Sequence, residues 1–163
     1  MLKGLMKRVH EDEGFTLIEL MVVVLIIGIL IAIALPTFLG ARTRAQNRAA
    51  QSDLRNTLVA AKTIYTDASS YTCATGSAAV APCTQSLSSV EPSLNYVAGA
   101  AGSVTTQVGV TVVSATQWAA GRWSASNNCF YISDDSAVGT KYGQAAGACV
   151  APTMALAAAA SWS

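Results

Sequence analysis

The sequence predicts an α+β protein, a long N-terminal α-helix packed on a small antiparallel β-sheet, and three observations carry that expectation. Residues 20–35 read LMVVVLIIGILIAIAL, sixteen positions without a charge. Apolar residues then recur mostly at steps of three and four as far as Tyr65, the spacing of one helix face. After Gly102 the pattern changes to alternating Val/Thr and aromatic runs punctuated by Asn, Asp and Gly, which reads as strands and turns.

Counted from Phe15, the apolar stretch runs twenty-one residues to Leu35, interrupted only by Thr16 and Glu19. That is long enough to span a bilayer. Beyond Pro36, the residues Ala41, Ala45, Ala50, Leu54, Leu58, Ala61 and Tyr65 are interleaved with Arg42, Arg44, Arg48, Asp53, Arg55 and Lys62. One helix is therefore expected from about Thr16 to Ala68, roughly 50 residues or roughly 75 Å at 1.5 Å per residue. Its first half is membrane-apolar and its second half amphipathic. Pro36 has no N–H and its ring crowds the carbonyl of Ala32, so a bend or loosened turn is expected there, with Gly28 a second weak point.

From Ser69 the composition turns to Ser, Thr, Ala and Gly, and residues 71–102, with two prolines and no period, read as an irregular loop. Residues 103–114 (SVTTQVGVTVVS), 117–125 with Trp118 and Trp123, and 128–133 with Phe130 and Tyr131 read as strands. Asn127, Asp134-Asp135-Ser136 and Gly139 supply turns. Three or four antiparallel strands would pack one face on the amphipathic half of the helix and leave the other face wet. The alanine-rich 155–163 segment is expected to fray.

Four cysteines, Cys73, Cys83, Cys129 and Cys149, all follow the apolar segment. An even count without a C-x-x-C pair reads as two disulfides formed outside the cytoplasm, and the spacings do not suit zinc. Three pairings are possible. The cost of closing a loop favours Cys73 with Cys83 and Cys129 with Cys149, each worth roughly 3 kcal/mol in the chain-entropy model.

Catalytic and cofactor chemistry find no support. The sole histidine, His10, precedes the apolar run, so no Ser-His or Cys-His nucleophile lies in the chain beyond it. There is no phosphate loop, no H-E-x-x-H and no dinucleotide fingerprint. Asp134 and Asp135 are a thin ligand set for a metal and read as a solvated turn. Residues 1–14 hold three basic and three acidic side chains and residues 15–163 seven and six, so neither part argues for nucleic acid by electrostatics. Arg42, Arg44 and Arg48 read as a solvated or lipid-headgroup face, and Trp118 and Trp123 as core or subunit contacts. Those arginines follow the apolar run as densely as basic residues precede it, so the positive-inside rule gives no orientation.

The hexapeptide Gly14-Phe15-Thr16-Leu17-Ile18-Glu19, the short charged leader before it and Pro36 after the run together resemble the type IV pilin and pseudopilin family, over roughly residues 14–51. Residues 122–126 and 129–132 look like the last strands of some Gram-positive pilins. The resemblance implies that prepilin peptidase, a membrane-embedded aspartic protease, cuts between Gly14 and Phe15 on the cytoplasmic side and that Phe15 is then N-methylated. It implies a cleaved leader at 1–14, the membrane and filament-core half of the helix at 15–41, and a headgroup at 42–163. The precursor would be a single-pass membrane protein with a cytoplasmic N-terminus. The pilus assembly machinery would then build it into an extracellular homopolymer, a helical filament, in which Glu19 and Pro36 serve assembly and the helix loosens between Gly28 and Pro36. The expected function is thus a structural pilus subunit. Alternatives are a pseudopilin of a type II secretion system, which would carry calcium around Asp134 and Asp135, and a minor pilin acting as adhesin or DNA receptor.

Glu19 carries the sharpest physical argument. A carboxylate within the hydrocarbon costs several kcal/mol and asks for a partner. Cleavage would leave a charged amine on Phe15 that methylation does not neutralise, and the amine of one subunit could meet the carboxylate of its neighbour. The resemblance implies the same pairing. An ordinary anchor explains the apolar run but not Glu19 or Gly14. A secretory signal would need a small-x-small site after the run, where Leu39-Gly40-Ala41 offers a poor one.

Overall fold

The computed structural model describes residues 14–76 and 83–162, so His10 and the rest of residues 1–13 lie outside it. The chain divides into two compact units, Met1–Gly40 and Ala41–Ser163. The elements in order are α1 (Leu17–Ala68), a 3-10 turn (Tyr71–Cys73), α2 (Leu87–Val90), β1 (Asn95–Ala98), β2 (Gln107–Val112), β3 (Gln117–Ser124), β4 (Asn128–Asp135) and β5 (Gly139–Ala146). The architecture is α+β and pilin-like, as the sequence predicts.

Helix α1 begins where the Thr16 carbonyl accepts the Leu20 N–H at 3.3 Å. It stops at Ala68 because Ser69 takes a left-handed φ of 50°. The helix is continuous through Gly28 and Pro36, and no loosened turn interrupts it. A single missing hydrogen bond is tolerated in so long a cooperative helix.

In the second unit, α1 buries Ala50, Leu54, Thr57, Leu58, Ala60, Ala61 and Ile64. Ala41 and Ala45, expected on this stripe, are exposed, and Tyr65 is only half-buried. The same cluster contains Val108, Val110, Trp118, Ala120, Phe130 and Ile132, the alternate residues of β2, β3 and β4. Strand order is β1-β2-β3-β4-β5. All neighbours are antiparallel except β1 and β2, which run parallel with Tyr96 opposite Val108.

Three sequence expectations are corrected here. The 71–102 stretch is not wholly irregular, since it contains α2 and β1. The sheet has five strands rather than three or four, with β5 beyond the expected set. The sheet's second face is not wet: Ala101, Cys129, Tyr131, Cys149 and Ala157 form a second buried cluster with Trp123 and Leu156 against it.

That face is covered partly by Leu156 and Ala157 of the C-terminal segment, which docks instead of fraying and carries Trp162 on to the helix-side cluster. Tyr142 and Ala159 exchange backbone hydrogen bonds at 2.8 and 2.9 Å. The Trp162 indole N–H donates to the carbonyls of Tyr131 and Gly143 at 3.0 and 3.1 Å. Gly143 makes this crossing possible, because a Cβ there would stand 1.7 Å from the Leu156 carbonyl oxygen. Gly143→Ala is accordingly expected to lift the tail and destabilise the unit by about 1–3 kcal/mol. A lowered thermal midpoint with a shift in Trp162 emission would show it, and an unchanged midpoint would refute the close crossing.

Candidate functional site

Residues 15–39 are exposed without exception, with Phe15 at 87%. A helix that presents Leu, Ile, Val and Met on every face has no folded core of its own to bury them, and it is long and apolar enough to cross a membrane. The one carboxylate on this surface is Glu19.

Glu19 already has a partner within its own chain. Its Oε2 accepts the Thr16 backbone N–H at 2.9 Å and the Thr16 hydroxyl at 2.6 Å. In return the Glu19 N–H donates to the Thr16 hydroxyl oxygen at 3.3 Å. This reciprocal pattern is a capping box, which closes otherwise orphaned donors at the first turn of α1. The sequence signal was available: Thr-x-x-Glu stands directly before the apolar run. Gly14 and Phe15 precede the helix and are exposed, and Pro36 is exposed on the same apolar surface.

The remaining singled-out residues belong to the headgroup. Cys73 pairs with Cys83 and Cys129 with Cys149, both sequence-local links. The first ties the 3-10 turn to Cys83, four residues before α2. The second fixes β4 to the segment that covers the outer face.

Asp134 does not lie in a solvated turn, and this expectation is corrected. It is 3% exposed at the end of β4. Its Oδ1 stands 3.0 Å from Lys62 Nζ and accepts the Thr140 hydroxyl at 2.5 Å, while Oδ2 accepts the Tyr71 hydroxyl at 2.5 Å. Burial, reinforced by that carboxylate, pushes the Tyr71 phenol well above its usual range. Asp135 faces other donors: the Gln117 amide at 2.7 Å and the Ala137 N–H at 2.8 Å, which hold its carboxyl below the usual value. A depressed carboxylate stabilises the fold at neutral pH, and that contribution is lost as pH falls through the folded value. The two aspartates thus serve separate protein partners, and no group of three metal-ligating side chains occurs among the described residues.

A second ion pair, of opposite polarity, joins Arg122 of β3 to Asp53 of α1 at 2.6 Å. Sequence reasoning missed both helix-to-sheet pairs, because nothing local links residues so distant in the chain. Trp118 is fully buried, its N–H donating to the Ala74 carbonyl at 3.0 Å, whereas Trp123 is half-buried on the opposite face. Asn47 accepts the Ser124 hydroxyl at 2.8 Å and also that of Ser126, holding the β3–β4 turn against α1.

An exposed apolar helix capped by a single carboxylate, followed by a disulfide-tied α+β headgroup, defines a pilin-like protein. Residues 11–35 match the prokaryotic N-terminal methylation motif. The chain is 43% identical over 61 residues, 37% of its length and 28% of the relative's, to the type IV major pilin protein PilA of Myxococcus xanthus. It is 43% identical over 49 residues to the type II secretion system core protein G of Vibrio cholerae, covering 30% of this chain and 34% of that one. It is also 46% identical over 55 residues to the fimbrial protein EcpB of Eikenella corrodens, covering 34% and 35%. The chain therefore spans about a third of the length of the curated relatives it matches. No solved structure matches it. Motif, fold and relatives are consistent with the type IV pilin family, and these relatives are pilins, fimbrial proteins and secretion-system proteins rather than enzymes.

Proposed function

We propose that the chain is a structural subunit of a type IV pilus, cleaved after Gly14 by prepilin peptidase, N-methylated at Phe15 and polymerised through its apolar helix into an extracellular filament. The observation that carries this reading is the unbroken exposed apolar surface from Phe15 to Leu39 with Glu19 as its one charge. Such a surface is satisfied first by lipid and then by copies of itself. The membrane holds the precursor, the cytoplasm receives the leader, and the two disulfides fit a headgroup that matures outside the cytoplasm.

Electron microscopy of sheared surface filaments, with intact-mass analysis of their subunit, tests the proposal. The expected mass lacks residues 1–14 and carries one added methyl. Chains beginning at Arg42 would instead restore the signal-peptide reading. Gly14→Val is expected to block processing, because a branched side chain at this exposed position would obstruct a protease cleft shaped for a small residue. Normal cleavage of that variant would move the processing site elsewhere.

The similarity to a secretion-system core protein favours a second reading, a pseudopilin. The two readings differ at Asp134 and Asp135, whose oxygens are engaged by Lys62, Tyr71, Thr140 and Gln117. Asp134 is paired with a cation and Asp135 is hydrogen-bonded, and each would give up those contacts to bind an ion, so calcium is expected to leave the thermal midpoint of the headgroup unchanged relative to chelator. A calcium-dependent rise would favour the pseudopilin.

A further inference from the structure

Two clefts of the headgroup share Tyr142, Ser161 and Trp162 in their walls. The smaller, about 200 Å³, is completed by Gln51 and Arg55 of α1. The larger, about 310 Å³, reaches Gln144 and Leu156. Taken as one site they fall within the range of small-ligand pockets, about 300–1,000 Å³. The rings are fixed: Tyr142 and Trp162 meet edge to face at 4.6 Å, and Trp162 is held by its two carbonyl partners.

Arg55 gives the site its chemistry. Its guanidinium carbon lies 5.0 Å from the Trp162 ring centroid, which orients the cation without neutralising it. Among the described residues the ion pairs are Lys62–Asp134 and Arg122–Asp53, and neither uses Arg55. The site thus combines an aromatic wall, one oriented cation with no carboxylate partner among the described residues, two amide side chains and a hydroxyl. An apolar ligand would leave the cation unmatched, and a metal ion would meet a positive charge. A ring with an apolar C–H face, several hydroxyls and one carboxylate matches every group present.

We propose that these clefts form a binding site for a carboxylated pyranose, a sugar acid of the uronic or sialic type. Its carboxylate pairs with Arg55, its C–H face packs against the corner that the Tyr142 and Trp162 rings form at 68° to each other, and its hydroxyls reach Gln51, Gln144 and Ser161. This reading does not depend on filament formation, since all the groups belong to one headgroup.

The test uses the full chain in detergent micelles, titrated calorimetrically with trigalacturonate and with sialyllactose. Methyl-esterified trigalacturonate and a hexaglutamate peptide serve as controls. Saturable binding of at least one sugar acid is expected, weakened about ten- to a hundredfold by Arg55→Gln, as for loss of a hydrogen bond to a charged group. The ester should be weakened to the same extent. Arg55 is exposed, so this variant should keep the wild-type thermal midpoint; Gln51→Ala, on the same helix face, should weaken binding less and provides a second variant. Absence of saturable binding by both sugar acids overturns the proposal, as does equal affinity for acid and ester. Hexaglutamate binding as tightly as the sugar acids would instead assign the cleft to acidic peptides. A lowered midpoint in Arg55→Gln with unchanged sugar affinity would reduce Arg55 to a clasp for the C-terminal tail.

Discussion

Glu19→Ala is expected to abolish filaments while leaving the subunit in the membrane. The substitution removes a charge from the apolar helix, so insertion becomes easier. It also removes one half of the capping box with Thr16, which costs about 1 kcal/mol at a helix start. On the proposed filament reading, loss of the neighbour's counter-charge is the larger effect, about 3–5 kcal/mol for each buried amine left unpaired. Glu19→Gln separates the two contributions. Glutamine keeps the capping-box acceptor but carries no charge, so filaments should be lost in both variants if the charge governs assembly. Restoration by glutamine would assign Glu19 to the helix cap, and normal filament abundance in the alanine variant would remove any assembly role.

The largest expected effect on stability is at Trp118. It is fully buried, stacks at 6.3 Å from the Tyr71 ring and satisfies the Ala74 carbonyl. Trp118→Ala is expected to destabilise the headgroup by about 3–5 kcal/mol. That corresponds to a fall of about 12–20 °C in the thermal midpoint for a domain of this size. Tyr71 also donates to Asp134, so collapse around the cavity should disturb the Lys62 pair as well. A drop of only a few degrees would mean that Trp118 is not the centre of the core.

The sequence was most legible where one local pattern decides the structure. The uncharged run and the amphipathic continuation define α1 almost to the residue, because a 3.6-residue period over so many turns has no competing reading. Strands β3 and β4 were legible from their aromatic residues, Trp118 and Trp123 in one and Phe130 and Tyr131 in the other, and from the turn residues between and after them. By contrast, β5 reads GTKYGQAA, with little strand propensity, and forms because β4 offers it a complete antiparallel partner. The short β1 pairs in parallel with β2, a link that leaves no hairpin turn to recognise. In the C-terminal tail, alanines suggested disorder, but one aromatic residue, Trp162, with two backbone acceptors was enough to dock the segment. At the site, Glu19 stood out as a charge out of place. Its capping partner Thr16 was equally readable, whereas the reciprocal Lys62–Asp134 and Asp53–Arg122 pairs exist only once the sheet meets the helix.

The docked tail has a consequence for how such a chain can safely be made in quantity. If the chain is the filament subunit proposed above, it is held in a membrane and then stacked on itself, with every opportunity to associate by the wrong surface. Strand β5 is an outer strand of the sheet, and an outer strand with free N–H and C=O groups is a template for runaway β-aggregation. Ala159 takes up both backbone groups of Tyr142 in the middle of β5, so a second headgroup meets a strand already occupied there. Truncating the chain before Pro152 would therefore be felt first as insoluble protein and only afterwards as lost thermal stability.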